Sequence, residues 1–188
     1  MTATVSSKQV RQLREQSGAG MMECKRALEE AHGNFEKAHR LLKEKGLAKA
    51  EKKAARATGQ GLIVSYVHQG RVGVLLELAC ETDFVAKCTD VQNLAKDVTL
   101  QIASMAPRYV AREHVPTEEA EKARSAFRAE GSSVDKRMEE WFSQACLMEQ
   151  PFVKDAGQTV RDVLVQVISK VGENLVIRRF TRFELGEN

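Results

Sequence analysis

The feature that most constrains this chain is a hydrophobic period that changes along its length. Leu62, Val64 and Tyr66 alternate with Ile63, Ser65 and Val67. After His68-Gln69-Gly70, Val72, Val74, Leu76 and Leu78 alternate with Gly73, Leu75, Glu77 and Ala79. Successive side chains of a strand point to opposite faces, so period-two alternation around a glycine-containing turn predicts a β-hairpin. A third strand is expected at the end, LVIRRFTRFEL over residues 175–185, rich in β-branched and aromatic side chains. Arg178, Arg179 and Arg182 within it favour an open face or a sheet edge over burial on both sides.

Elsewhere the period is helical. Residues 1–46 parse into three short helices. Ser6 or Ser7 caps the first, which carries Val10 and Leu13 and ends at Ser17-Gly18-Ala19-Gly20. The second runs from Met21 to Ala31 with Cys24, Ala27 and Leu28 on one face, and Gly33 stops it. Asn34 caps the third, which carries Phe35, Ala38, Leu41 and Leu42 and is expected to stop at Gly46. Residues 47–59 read as a basic linker. Between Lys43 and Arg56 six basic residues face only Glu44 and Glu51, and the alanines favour helix without large apolar anchors. Such a run is a solvated connector or, more sharply, a patch for an acidic partner or ribosomal RNA.

Within residues 60–188, Val91, Leu94, Ala95, Val98, Ile102 and Met105 form a helical stripe ended by Pro107. Thr117 can cap a polar helix bearing Ala120, Ala123 and Phe127. Ser133 can cap another with Val134, Met138, Trp141, Phe142 and Ala145, stopped by Pro151. Thr159 can cap a last one, Val160 to Val171, ended by Gly172. The sum is α+β: a three-helix module, then a three-stranded antiparallel sheet covered by helices.

With 188 residues of which 43% are hydrophobic, the chain can bury a real core, and a mainly disordered protein is excluded. A net charge of +3 and 5% aromatics give no concentrated basic face and no stacking platform, so direct nucleic-acid binding is not expected. Cys24, Cys80, Cys88 and Cys146 match neither a zinc knuckle nor a C-x-x-C redox pair. Cys80, Cys88 and His68 match no common ligand set, so no metal or other cofactor is expected. The N-terminal stretch lacks an apolar signal core, and no run approaches the ~20 apolar residues of a membrane helix. The expectation is a soluble cytoplasmic protein with free thiols and no membrane contact. The histidines are scattered, and no phosphate loop, nucleophile elbow or zinc-protease string occurs. The pattern favours a binding protein over an enzyme.

Three strings carry a resemblance: LREQSGAGMMECKRAL at 13–28, CETDFVAK at 80–87, and LMEQPFVKD at 147–155 followed by KVGENLVIRRFTRFELGEN at 170–188. In this order they resemble the elongation factor Ts family, the guanine-nucleotide exchange factors of elongation factor Tu, in its compact form. The resemblance implies that residues 1–46 are a ubiquitin-associated-like module and that residues 60–188 are a core through which two chains pair as a homodimer. It implies that the protein binds elongation factor Tu–GDP and promotes GDP release. Thr82, Asp83, Phe84 and Val85 would enter the partner near its Mg2+ site, while Arg14, Met21, Met22, His68, Val171 and Gly172 would contact it. Ala79 stands where the family usually has Asn, and Cys88 where a polar residue is common, so local hydrogen bonds at the key segment can differ.

Each assignment has a plainer alternative on the residues alone. Phe84 reads as a core residue opening the next helix, with Thr82 or Asp83 as its cap. Met21 and Met22 suit either an adaptable interface or the module core. Arg14 reads equally as a solvated surface residue, His68 as an exposed turn residue, and Gly172 as a helix stop. A competing function, an adaptor or RNA-binding module acting through residues 1–46, remains open on the sequence.

Overall fold

A computed structural model describes residues 5–130 and 133–187. The start of the N-terminal unit (residues 1–4) and residue 188 therefore lie outside the described residues. Three helices open the chain: α1 (Ser7–Ser17), α2 (Met21–Glu30) and α3 (Phe35–Ala54). Ser6 caps α1 in a capping box, its hydroxyl accepting from the Gln9 N–H at 3.2 Å while Gln9 Oε1 accepts from the Ser6 N–H at 3.1 Å. Gly18, left-handed at φ 66°, turns the chain out of α1 and donates its N–H to Arg14 O. Asn34 caps α3 by accepting from the Lys37 N–H at 2.9 Å. Val10, Leu13, Cys24, Ala27, Leu28, Ala38 and Leu42 close a small core of their own.

One expectation fails here: Gly46 does not stop the third helix, which runs through it to Ala54. A glycine inside a helix costs about 1 kcal/mol relative to alanine, and packing offsets that. Ala50 packs on the larger core, and Lys43 pairs with Asp162 at 2.8 Å. The first eight residues of the basic stretch 47–59 are thus helical.

The sheet has the order β1-β2-β5, all antiparallel: β1 (Gln60–His68), β2 (Val72–Cys80) and β5 (Leu175–Glu184). The His68–Val72 pair closes a three-residue turn, Gln69–Arg71, in which Gln69 and Gly70 have positive φ of 49° and 68° and the Arg71 N–H donates to His68 O at 2.9 Å. β2 is central, so the arginine-bearing β5 lies at an edge. The inward face (Val74, Leu76, Leu78 and Ile177) packs with α5 (Thr89–Met105) and α8 (Val160–Val171), which supply Val91, Val98, Ile102, Val160, Leu164 and Ile168. Ile63, Val67, Leu75 and Phe183 remain exposed. The fold is α+β, helices first and then an antiparallel sheet covered by helices.

The segment between α5 and α8 departs from expectation in detail. α6 (Thr117–Ala129) has Pro116, not Thr117, at its cap position, and it buries no residue. Ser133 precedes α7 (Val134–Ala145) but makes no capping hydrogen bond. Pro151 does not stop α7. That helix ends at Ala145, and Pro151 opens a small unforeseen hairpin of β3 (Pro151–Phe152) and β4 (Asp155–Thr159). Two wholly buried glutamines hold the hairpin: Gln101 Nε2 donates to Gln150 Oε1 at 3.0 Å, and the Val153 N–H donates to Gln101 Oε1 at 2.7 Å.

Candidate partner-binding site

The 80–87 string straddles the exit from the central strand. Cys80, buried at the end of β2, donates its thiol to Thr82 O at 2.9 Å, and burial raises its pKa above the usual thiol value. Thr82 then caps a single helical turn, α4 (Asp83–Ala86), its hydroxyl oxygen accepting from the Val85 N–H at 3.3 Å. One turn has two sides. Val85 and Ala86 face the core at 6% and 7% exposure, whereas Phe84 leaves 75% of its surface in solvent. The core alternative for Phe84 therefore fails; its neighbour holds that role. An aromatic ring kept in water forgoes roughly 1.5–3 kcal/mol of burial, and the ring is available to whatever covers it.

Asp83 beside it is also exposed and pairs with Lys87 one turn on at 2.9 Å. The Lys87 hydrogen bond and charge hold the Asp83 carboxyl below its ordinary pKa, so it is ionised at neutral pH. An exposed pair of this kind is screened by solvent and contributes little, so a partner can separate it cheaply.

Two of the sequence-predicted sites converge. α8 ends at Val171, and Gly172 turns the chain at φ 80°, donating to Ile168 O at 3.0 Å. The next residue, Glu173, accepts from both the N–H and the hydroxyl of Thr82 at 3.0 and 2.8 Å. Val171 and Gly172 thus flank the Thr82–Val85 turn. His68 does not. It sits at the other end of β2, which spans roughly 26 Å at strand rise, and its Nδ1 meets the Tyr66 hydroxyl at 2.9 Å.

The N-terminal residues occupy a third location. Arg14 is exposed on the last turn of α1, and Met21 and Met22 open α2 at 40% and 63% exposure. The module core is built from Leu13, Cys24 and Leu28 instead, so neither methionine belongs to it. The turn between α1 and α2 approaches α8: a Cβ placed on Gly18 would lie 4.0 Å from Cβ of Gln166. The docking candidates therefore lie on separate elements that α8 connects to the Thr82–Val85 turn.

A cleft of about 480 Å3 lies away from that turn. It lies between α2, α3 and α8, and Lys43, Lys45 and Lys49 on its walls are committed to Asp162, Glu30 and Glu23. Among the described residues no group of three His, Cys, Asp or Glu side chains is arranged to hold a metal. Nor is any described helix long and apolar enough to cross a membrane. Sequence reasoning missed Lys87, Glu173 and Glu81. Lys87 was findable from its four-residue spacing to Asp83. Glu173 lies 91 positions from Thr82 and carried no local signal.

Comparison with known proteins bears on this arrangement. The family model described as Elongation factor TS matches residues 7–187. The elongation factor Ts of Carboxydothermus hydrogenoformans is 50% identical over 195 residues, covering 97% of this chain and 90% of its own length. That of Finegoldia magna is 45% identical over 204 residues, with 98% and 91% covered. That of Thermodesulfovibrio yellowstonii is 42% identical, with 97% of each covered. With an end-to-end match to the family, this chain belongs to the elongation factor Ts family of translation elongation factors.

Proposed function

We propose that this protein binds elongation factor Tu–GDP and promotes release of the GDP, so that GTP can rebind, without covalent chemistry of its own. The observation that carries the reading is Phe84, exposed on a capped helical turn and backed by buried Val85. A GTPase holds GDP through phosphate-loop donors and a bridging Mg2+. A factor that prefers the nucleotide-free conformation lowers GDP affinity without touching the nucleotide. Phe84 would wedge into an apolar gap of the GTPase, supported by Thr82 and Val85, while Asp83, leaving Lys87, would disturb the cation's ligands. Linkage requires GDP to weaken binding of this protein by the same factor, which makes the action catalytic.

In this reading residues 1–46 dock through Arg14, Met21 and Met22. The core of 60–188 acts through the Thr82–Val85 turn with His68, Val171 and Gly172, and residues 47–59 join the two. The protein works in the cytoplasm as a homodimer. The outward sheet face, with Ile63, Val67, Leu75 and Phe183 exposed across three strands, supports self-pairing.

The experiment is release of labelled GDP from elongation factor Tu, with this protein in substoichiometric amounts. Multiple-turnover acceleration is the expected result; an unchanged rate would remove the reading. A chain lacking residues 1–46 should keep a weakened effect, whereas an adaptor acting through the module would lose all binding.

A further inference from the structure

The helix behind the Thr82–Val85 turn, α4, is only the four residues Asp83–Ala86 plus the Thr82 cap, too short to hold itself in one geometry. What holds it comes from the other end of the chain. Glu173 takes the Thr82 N–H on one carboxylate oxygen and the Thr82 hydroxyl on the other, at 3.0 and 2.8 Å. The exchange is reciprocal: Glu81, next to Thr82, accepts the N–H of Asn174, next to Glu173, at 2.6 Å. That N–H, with help from Arg56 at 3.4 Å, holds the Glu81 carboxyl below its ordinary pKa. Asn174 is itself buried, and its amide donates to Ala54 O and Arg56 O at the end of α3. Two loops 91 residues apart are thus cross-bonded by a pair of carboxylates, each taking the other loop's backbone donor.

The consequence reaches Phe84 through one hydroxyl. Thr82 Oγ1 donates to Glu173 and accepts from the Val85 N–H, so the carboxylate fixes the rotamer on which the cap depends. Hydrogen bonds to a charged acceptor are stronger than neutral ones, and here two converge on one side chain. The body of the turn is anchored by Val85 and Ala86, but its entry, and hence the direction of Phe84, is set from Thr82.

We propose that Glu173 is a positioning residue: by gripping Thr82 it presents Phe84 to the GTPase, without itself touching the partner's nucleotide site. The inference rests on the exchange-factor reading for its functional consequence, but not for its structural one.

Two measurements on the full-length chain separate them. The first is amide hydrogen exchange of the free protein. Glu173→Ala should speed exchange of the 82–87 segment about tenfold, the loss of a charge-assisted hydrogen bond, while β2 and α5 keep their protection. Glu173→Gln should restore most of it, because its amide can accept the Thr82 N–H and donate to the Thr82 hydroxyl. The second is GDP release from elongation factor Tu against factor concentration. Glu173→Ala should lower the maximal rate about tenfold and leave the half-saturating concentration within about twofold, since the docking residues are intact; Glu173→Gln should recover the rate. Unchanged exchange in the 82–87 segment, or a loss of protection spread over the whole core, would overturn the proposal. So would a rise in half-saturating concentration at an unchanged maximal rate. If the unmutated protein fails to speed GDP release, the functional reading falls, and the hydrogen-exchange result still decides whether Glu173 holds the turn.

Discussion

Phe84 and Val85 are neighbours on one helical turn and face opposite ways, the first 75% exposed and the second 6%. Their truncations should therefore separate function from stability. Phe84→Ala should change unfolding free energy by no more than about 0.5 kcal/mol, as exposed substitutions do, while acceleration of GDP release falls at least about tenfold, the loss of a buried aromatic contact. Val85→Ala should cost about 1–3 kcal/mol through lost burial and the small cavity it leaves. Denaturant unfolding of both variants beside the GDP-release assay checks this. Equal destabilisation by the two would contradict the opposed burial.

That pair also marks where sequence reading reaches its limit. Capping is local chemistry, so Ser6, Asn34 and Thr159 were legible three residues ahead of the N–H groups they take. Alternation over nine residues made β1 and β2 legible in the same way. A single turn has no period to read, so Phe84 and Val85 could not be told apart; only packing of the turn against the sheet decides it. Gly46 misled because a glycine after a helical run is a common stop, and the contacts carrying α3 onward come from α8, far along the chain. The β3–β4 hairpin was invisible for a similar reason. Its first strand is two residues long, held by Gln101 from another element.

Gly46 lends itself to a direct test. It lies inside α3 without a positive φ, and an added Cβ would meet Val165 Cγ1 at 3.4 Å and Ser169 Oγ at 3.5 Å, ordinary contact distances. Gly46→Ala should therefore stabilise by up to about 1 kcal/mol from helix propensity alone, a rise in Tm of about 2–4 °C for a chain of this size. Calorimetry measures it. A fall in Tm would mean that α8 cannot accommodate the methyl group, or that the helix needs its glycine.

Asp162 gives the fold a pH dependence of definite sign. Burial pushes its carboxyl pKa upward, but the Lys43 ammonium and the hydrogen bonds at Thr159 outweigh that, leaving it below the ordinary value. The folded protein then binds this proton less readily than the unfolded chain. The stabilisation is fully present above the unfolded pKa, near 3.9, and is lost as pH falls through the folded one. Asp162→Asn keeps an acceptor for the Thr159 N–H but not the Lys43 pair. It should be less stable than the unmutated protein by about 1 kcal/mol at pH 7, as a partly exposed pair at a helix start implies. The gap should narrow as pH falls below the unfolded value and close only below the folded one. Urea unfolding from pH 7 to pH 3 follows it, and a gap that widens on acidification would reverse the assignment.

The last expectation concerns the open face of the sheet. Leu75 lies on the central strand, paired with Ser65 on one side and Thr181 on the other, and its side chain is exposed. Ile63, Val67 and Phe183 lie on the same face of the two edge strands, interleaved with Ser65, Gly73, Glu77, Arg179 and Thr181, so exposed apolar side chains occur on all three strands of that face. A two-fold axis through such a face sets the same residues against one another, and a charge placed at its centre would meet its own copy across the axis. Leu75→Lys should thus leave the fold intact, because the position faces solvent in the single chain, while splitting the homodimer proposed above into monomers. Light scattering coupled to size exclusion reads the mass, and circular dichroism confirms the fold. A dimer that survives Leu75→Lys with undiminished affinity would place the pairing surface elsewhere. A monomeric unmutated protein at micromolar concentration would remove the pairing itself, leaving the Thr82–Val85 turn to act from one chain.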